Sequence, residues 1–173
     1  MTLDPEALRR AMRQWATGVT VVTAQLDGRR HGMTVNAFTS ASLEPPLVLV
    51  SLERTTRTHG LVERSGVFGV TILGEDQPEI SERFAGRVSD LSDRFAGLET
   101  DTLVSGVPFI RGGVAYLDCR VVERHPAGTH TLFIGEVMAA QSDGEGSPLV
   151  YLNREYRKLR QGEVSHGRKA DRG

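Results

Sequence analysis

Apolar positions in this chain fall mainly into short alternating or unbroken runs, and helical spacing is confined to the ends and the connections. Asp4 before Pro5 opens a helix, because Asp can accept from free amides and Pro fits the first helical position. Leu8, Ala11, Met12, Trp15 and Ala16 then recur at helical spacing, Arg9, Arg10 and Arg13 face away, and Thr17-Gly18 ends the run. Residues 19–26 are rich in β-branched side chains, and Asp27-Gly28 joins them to residues 30–35 as a hairpin. Pro45-Pro46 delays the next strand, residues 47–52, whose unbroken apolar character predicts burial on both faces.

Residues 58–65 have room for a two-turn helix closed by Gly66, residues 67–73 read as a strand, and residues 78–84 as a second short helix. A loop-rich stretch, 86–108, contains Arg94-Phe95. Two long strands follow, 113–123 and 131–140. Ala115, Leu117, Cys119 and Val121 point one way in the first, and Leu132, Ile134 and Met138 in the second. Residues 148–152 form a last short strand, followed by a helical turn at 155–159. The polar, aperiodic tail, 161–173, reads as disordered, leaving 1–160 as one folded domain. Six or seven strands without βαβ alternation predict a mainly β fold, a closed or nearly closed antiparallel barrel with short peripheral helices.

Composition removes several function classes. The 173 residues carry 21 basic against 22 acidic side chains, with no basic run in the globular part, so a nucleic-acid binder is disfavoured. The single cysteine, Cys119, excludes an internal disulfide and reads as a small buried hydrophobe. No stretch approaches bilayer-spanning length and none reads as a leader, so the expected location is cytoplasmic, away from membranes. His31, His59, His125, His130 and His166 lack metal-ligand spacing, so no metal site is expected. No G-x-G-x-x-G, P-loop or G-x-S-x-G pattern occurs.

A ligand-ready segment remains. Residues 31–52, HGMTVNAFTSASLEPPLVLVSL, bring together Thr34, Asn36, Thr39, Ser40 and Ser42, short polar side chains that let main-chain amides approach a flat or phosphorylated ligand. Composition alone would favour a Ser/Thr-rich surface loop between two strands. Arg54-Thr55-Thr56-Arg57-Thr58 runs into the helix at 58–65, where hydroxyls, a guanidinium and helix amides could hold an anion; ordinary Thr capping fits the same residues. A chain with such a loop and no evident side-chain catalyst is suited to chemistry borne by a cofactor.

These segments, in order, resemble the flavin reductase-like family, the short-chain flavin reductases that serve two-component flavin monooxygenases. The likeness runs through ATGVTVVTA (16–24), GMTVNAFTSASLEPPLVLVSL (32–52), RTHGLVERSGVFGVTIL (57–73), FAG (84–86) and RFAG (94–97). It continues in GVPFIRGGVAYLDCRV (106–121), HTLFIGEV (130–137) and YLNREYRKL (151–159). The resemblance implies a split β-barrel of the antiparallel Greek-key, FMN-binding type, and a homodimer whose subunits both border the flavin. It further implies FMN or FAD as flavin, NADH or NADPH as hydride donor, and a flavin-dependent monooxygenase as recipient of the reduced flavin. A related alternative is a flavin-binding or delivery module without reductase activity. A split-barrel oxidase of pyridoxamine phosphate type lacks a supporting basic cluster.

Carried onto this chain, the resemblance lays the flavin ring and ribityl chain along Thr34, Val35, Asn36 and Ala37, with Ser40 nearby. It sets the phosphate against Ser51, Leu52, Thr56, Arg57 and Thr58, with Phe84 and Arg94 bordering the flavin. His130, the implied catalytic-site residue, and Tyr156 match positions near the nicotinamide. The implied reaction is hydride transfer between rings held face to face at about 3–3.5 Å, with His130 orienting the nicotinamide rather than acting as a base. Many relatives carry an acidic residue just before this His. Here the run is Gly128-Thr129-His130, which removes one influence favouring a charged imidazole.

Overall fold

The computed structural model describes residues 4–88, 93–142 and 144–159. In chain order the elements are α1 (Pro5–Met12), β1 (Thr17–Gly18), β2 (Thr20–Leu26), β3 (Arg29–Val35), β4 (Phe38–Leu43), β5 (Pro46–Glu53), α2 (Arg57–Ser65), β6 (Val67–Ile72) and α3 (Pro78–Phe84). The remainder are β7 (Thr100–Asp101), β8 (Phe109–Ile110), β9 (Ala115–Ala127), β10 (His130–Ser142), β11 (Val150–Leu152) and β12 (Glu155–Arg157).

Seven strands form one antiparallel sheet in the order β3-β2-β6-β9-β10-β5-β4. Its two edges, β3 and β4, are consecutive in the chain and joined only by Asn36 and Ala37. At 3.8 Å per residue that link spans about 11 Å at most, so the sheet must curl until its edges almost meet. The Ser51 amide donates to the Ala37 carbonyl at 3.0 Å, which ties the crossing chain to β5. The result is a mainly β, split antiparallel barrel, as the strand pattern predicts.

The barrel interior holds Val22, Ala24, Val35, Val48, Val50, Leu52, Phe68, Val70, Cys119 and Phe133, with Leu61 and Val62 of α2 packed among them. Gly135 makes room for the Phe68 ring: a Cβ there would lie 2.5 Å from its Cζ. A second cluster, Val19, Val21, Leu73, Phe84, Phe95, Ile110 and Leu149, covers the outer side of β2. That cover explains where the unbroken apolar run misleads. In β5 only Val48, Val50 and Leu52 are buried, while Leu47, Leu49 and Ser51 are half-buried on the opposite face. The strands buried on both faces are β2 and β6; over β2 lie α3 and the chain around Phe95 and Ile110.

Four further expectations change. In β10 the inward set is Thr131, Phe133 and Gly135; Leu132 and Ile134 are half-buried and Met138 is exposed, because register with β5 and β9 decides which side of an apolar strand faces in. Residues 155–157 are strand rather than helical turn: Asn153 and Arg154 both have positive φ, at 51° and 66°, and fold β12 back onto β11. Tyr151 faces Tyr156 across that pair with ring centroids 5.5 Å apart, a cross-strand contact that outweighs local helical propensity. The Ser/Thr-rich stretch is an edge strand over Phe38–Leu43 rather than a loop. Helix α1 stops at Met12, short of Trp15, and buries none of its residues.

The other local readings hold. Asp27 and Gly28 take φ of 50° and 74° in the β2–β3 hairpin, Gly66 caps α2 at φ 71°, and α3 covers Pro78–Phe84. Cys119 is buried and its thiol is pushed up to about 12, first by burial and then by Asp118, so it is a packing group. The tail beyond residue 159 lies outside the described residues.

Gly135→Ala is predicted to destabilise the barrel by about 1–3 kcal/mol through overpacking against Phe68. Gly18→Ala, whose Cβ would meet nothing within 4 Å, is the matched control; urea unfolding midpoints compare the two.

Candidate functional site

Where β3 and β4 part, the barrel is flanked by a cavity of about 580 Å³ lined by His31, Met33, Thr34, Glu53, Thr56, Arg57, Phe84, Ala85 and Arg94. A smaller one, about 180 Å³, adjoins it at Thr34 and Ala85 and adds Asn36, Ser81, Arg87, Tyr151 and Tyr156. Asn36 then leads into two shallower hollows, one lined by Arg13, Trp15 and Arg154, the other by Trp15, Ala37 and Phe38. Together they form one continuous groove, running from the N-terminus of α2 across the seam of the barrel to Trp15.

At its α2 end the groove is cationic. Thr56 caps α2, its Oγ1 accepting from the His59 amide at 3.3 Å and donating to the Glu53 carbonyl at 2.8 Å. Arg57, the first residue of α2, lines the cavity beside the helix amides. Arg94 enters from the opposite wall, donating to the carbonyls of Gly32 at 3.0 Å and Phe84 at 2.7 Å. Burial, and then the nearby Arg57, hold Arg94 below its ordinary guanidinium value. Burial, Arg94 and Arg57 likewise lower His31 from 6.5 to about 4, so it is neutral at pH 7, its Nδ1 2.8 Å from the Thr58 hydroxyl. Two guanidiniums converging on a helix N-terminus suit an anion. Gly32 lets this wall close: a Cβ there would stand 2.9 Å from the Phe84 ring.

Toward the middle, α3 is stitched to the barrel. The Thr34 hydroxyl donates to the Ser81 carbonyl at 2.6 Å. The Tyr156 hydroxyl lies 2.5 Å from a Glu82 carboxylate oxygen and 2.9 Å from the Ser81 Oγ. The phenol has one proton, so it donates to the carboxylate and accepts from Ser81. Burial, and then the bond to Glu82, push the Tyr156 phenol up.

The structure brings Thr34, Thr56, Arg57, Phe84 and Arg94 onto one cavity, with Asn36, Ala37 and Tyr156 further along the groove. It leaves the side chains of Val35 and Leu52 in the core, and buries Thr58 against His31. Ser40, on β4, and Ser51, on the half-buried face of β5, are not among the cavity's lining residues. His130 begins β10 directly opposite Glu53 in register and is not among the cavity's lining residues. Its Nδ1 is 2.9 Å from the Thr129 hydroxyl, so Thr129 takes up the ring nitrogen in place of an acidic neighbour. Sequence reasoning passed over His31, Ser81, Ala85 and Glu82. Only their spacing from residues of other elements makes them site residues, and nothing local marks them. Among the described residues no group of three metal-binding side chains is assembled, and no helix is long and apolar enough to cross a membrane.

A family model for the flavin reductase like domain matches residues 12–160. The chain belongs to this family. It is 41% identical over 164 residues to an NADH-dependent flavin reductase of Rhodococcus sp, covering 91% of this chain and 90% of that protein. It is 39% identical over 154 residues to the reductase component of 4-hydroxyphenylacetate 3-monooxygenase from Thermus thermophilus, covering 89% and 96%. Among solved structures, the NADH:FAD oxidoreductase SgcE6 of Streptomyces globisporus C-1027, in complex with NAD and FAD fragments, superposes with a TM-score of 0.86 at 32% identity. That match covers 95% of this chain and 99% of the other. The split barrel described above is therefore the fold this chain shares with that reductase.

Acidification tests the electrostatics. Between pH 6.5 and about 4 the unfolded chain binds a proton that folded His31 refuses, so His31 makes stability rise with pH across this window and fall on acidification. His31→Gln is predicted to lower the melting temperature less steeply than wild type between those pH values, measured on ligand-free protein.

Proposed function

We propose that this protein is an NAD(P)H-dependent flavin reductase that supplies reduced FMN or FAD to a separate flavin-dependent monooxygenase. The carrying observation is the groove: a cationic end, where Arg57 and Arg94 meet the N-terminus of α2, adjoins a cavity lined by Thr34, Asn36, Tyr151 and Tyr156 at the barrel seam. The names of the relatives, reductases and reductase components, support the same reading.

The donor set fits a flavin phosphate. Arg57 makes no hydrogen bond or ion pair with the protein among the described residues, so its guanidinium is available to a ligand. Thr34, Val35, Asn36 and Ala37 would border the ring and ribityl chain, with Ser40 near; Val35 would contribute backbone only. Thr56, Arg57 and Thr58, with the ends of β5 at Ser51 and Leu52, would meet the phosphate, and Phe84 and Arg94 would close the wall. The flavin, once bound, supplies the redox chemistry by taking a hydride from the reduced nicotinamide. The chain's own task is to hold both rings in place and exclude water, which can lower the barrier by roughly several kcal/mol. Short side chains at Thr34 and Ala37 let backbone dipoles approach the ring edge where negative charge develops. His130, fixed by Thr129, orients the nicotinamide, and Tyr156 borders it.

A homodimer belongs to this reading. Leu8, Met12 and Trp15 are 53%, 54% and 66% exposed beside the groove, and Leu43 on β4 is 86% exposed. Leu47, Leu49, Leu132 and Ile134 add a half-buried apolar face on β5 and β10. A second copy would cover these residues and complete the groove. The nicotinamide pool places such an enzyme in the cytoplasm.

Purified protein with FMN or FAD should oxidise NADH or NADPH in a flavin-dependent way, followed by loss of nicotinamide absorbance. Flavin binding without oxidation would leave a delivery module, and no flavin binding would defeat both. Arg57→Ala should raise the flavin KM about tenfold with kcat little changed, while His130→Ala should raise the KM for the nicotinamide. Light scattering should give twice the chain mass, and Trp15→Asp should shift that mass toward monomer.

A further inference from the structure

Beyond the α2 end of the groove lies a second cavity, about 440 Å³, that shares His31, Arg57 and Arg94 with the first. Its remaining wall brings in Arg29 and Arg30 from the start of β3, Arg64 from α2, and Asp93. Five arginines thus face one space against a single carboxylate, which is already paired with Arg30 at 3.2 Å. The other groups there do not cancel this charge, since His31 is held neutral. A terminal phosphate monoester at the α2 N-terminus needs only Arg57 and the helix amides, so the arginines beyond it point to more anionic ligand.

We infer that this cavity receives the adenylate arm of a flavin dinucleotide, with Arg29 and Arg64 as specificity-determining residues that favour FAD over FMN. The inference rests on the proposed flavin site, from whose phosphate end the arm must extend. Direction follows from the shared wall: Arg57 and Arg94 border both cavities, so a group continuing past the first phosphate enters the arginine-lined space. The second phosphate lies within the field of Arg57, Arg64 and Arg94. The floor by Gly60 is open, since a Cβ there would meet nothing within 4 Å. Arg30 is held flat, its guanidinium 4.7 Å over the Phe95 ring and paired with Asp93, a pre-oriented plane for a heteroaromatic base. Arg64 donates from Nε to the Gly60 carbonyl at 3.0 Å, which leaves its terminal nitrogens for the ligand.

Isothermal titration of the full chain with FAD and with FMN tests this. Wild type should bind FAD at least tenfold more tightly than FMN. The Arg29→Ala/Arg64→Ala variant, altered at two exposed side chains, should lose about tenfold in FAD affinity and less than twofold in FMN affinity. Arg64→Lys should retain part of the FAD preference, because the charge remains while the fork is lost. Equal wild-type affinities, or parallel weakening of both flavins, would overturn the inference. So would unchanged FAD binding with a raised KM for NADPH alone, which would assign the cavity to a nicotinamide 2′-phosphate. Tight FMN binding without an FAD advantage defeats this inference only, whereas binding of neither flavin defeats the proposed function itself.

Discussion

Two residues, Asn36 and Ala37, join strands that stand at opposite edges of a seven-stranded sheet, and this short tether governs the architecture. A flat sheet would separate those edges by roughly six interstrand spacings of about 4.8 Å, far more than the tether can span. The sheet therefore closes on itself and traps one hydrophobic face as the barrel interior. The seam it leaves is neither fully paired nor buried. Asn36 and Ala37 are exposed there, and the groove lies along them.

Other elements stabilise this closure or exploit it. Helix α2 packs Leu61 and Val62 into the interior and presents its N-terminus at the groove's end, so one short helix both fills the core and lines the cavity. Helix α3 covers β2 from outside through Phe84, while its Ser81 carbonyl holds Thr34 and its Ser81 and Glu82 side chains hold Tyr156. Gly32 permits the Phe84 ring to sit against β3, and Arg94 ties the same glycine to the same phenylalanine. The wall of the cavity is thus continuous with the second core. Shifts in packing there would be transmitted directly to the cationic end of the groove.

Charge is distributed unevenly along the groove even though the chain as a whole is nearly neutral, at −1. Arginines gather at the α2 end and in the cavity beyond it, while hydroxyls and aromatic edges occupy the middle. His31 stays uncharged among these guanidiniums because protonation there would add a further cation to a half-buried cluster. A redox protein that leaves the electron chemistry to its ligands is served by such a graded surface, cationic at one end and lined by hydroxyls and aromatic side chains in the middle.

The sequence by itself determined the local devices. Asp27-Gly28 specified a hairpin, Gly66 a helix end, Pro78 a helix start, and the ordered motifs from Ala16 to Leu159 specified the family and with it the barrel. Thr34, Thr56, Arg57, Phe84 and Arg94, which the structure gathers around one cavity, were singled out by the same motifs. What only the tertiary structure decided was facing and neighbourhood. An apolar strand reads the same whichever side is covered, so β5 proved buried on one face only, while β2 is buried on both because α3 lies over it. Register, not composition, turned Phe133 inward and Leu132 outward. His31, Ser81 and the arginines at 29, 30 and 64 gained meaning only when closure of the barrel brought β3, α2 and α3 around one space, because side chains separated in sequence acquire a shared field only when the fold removes the water between them.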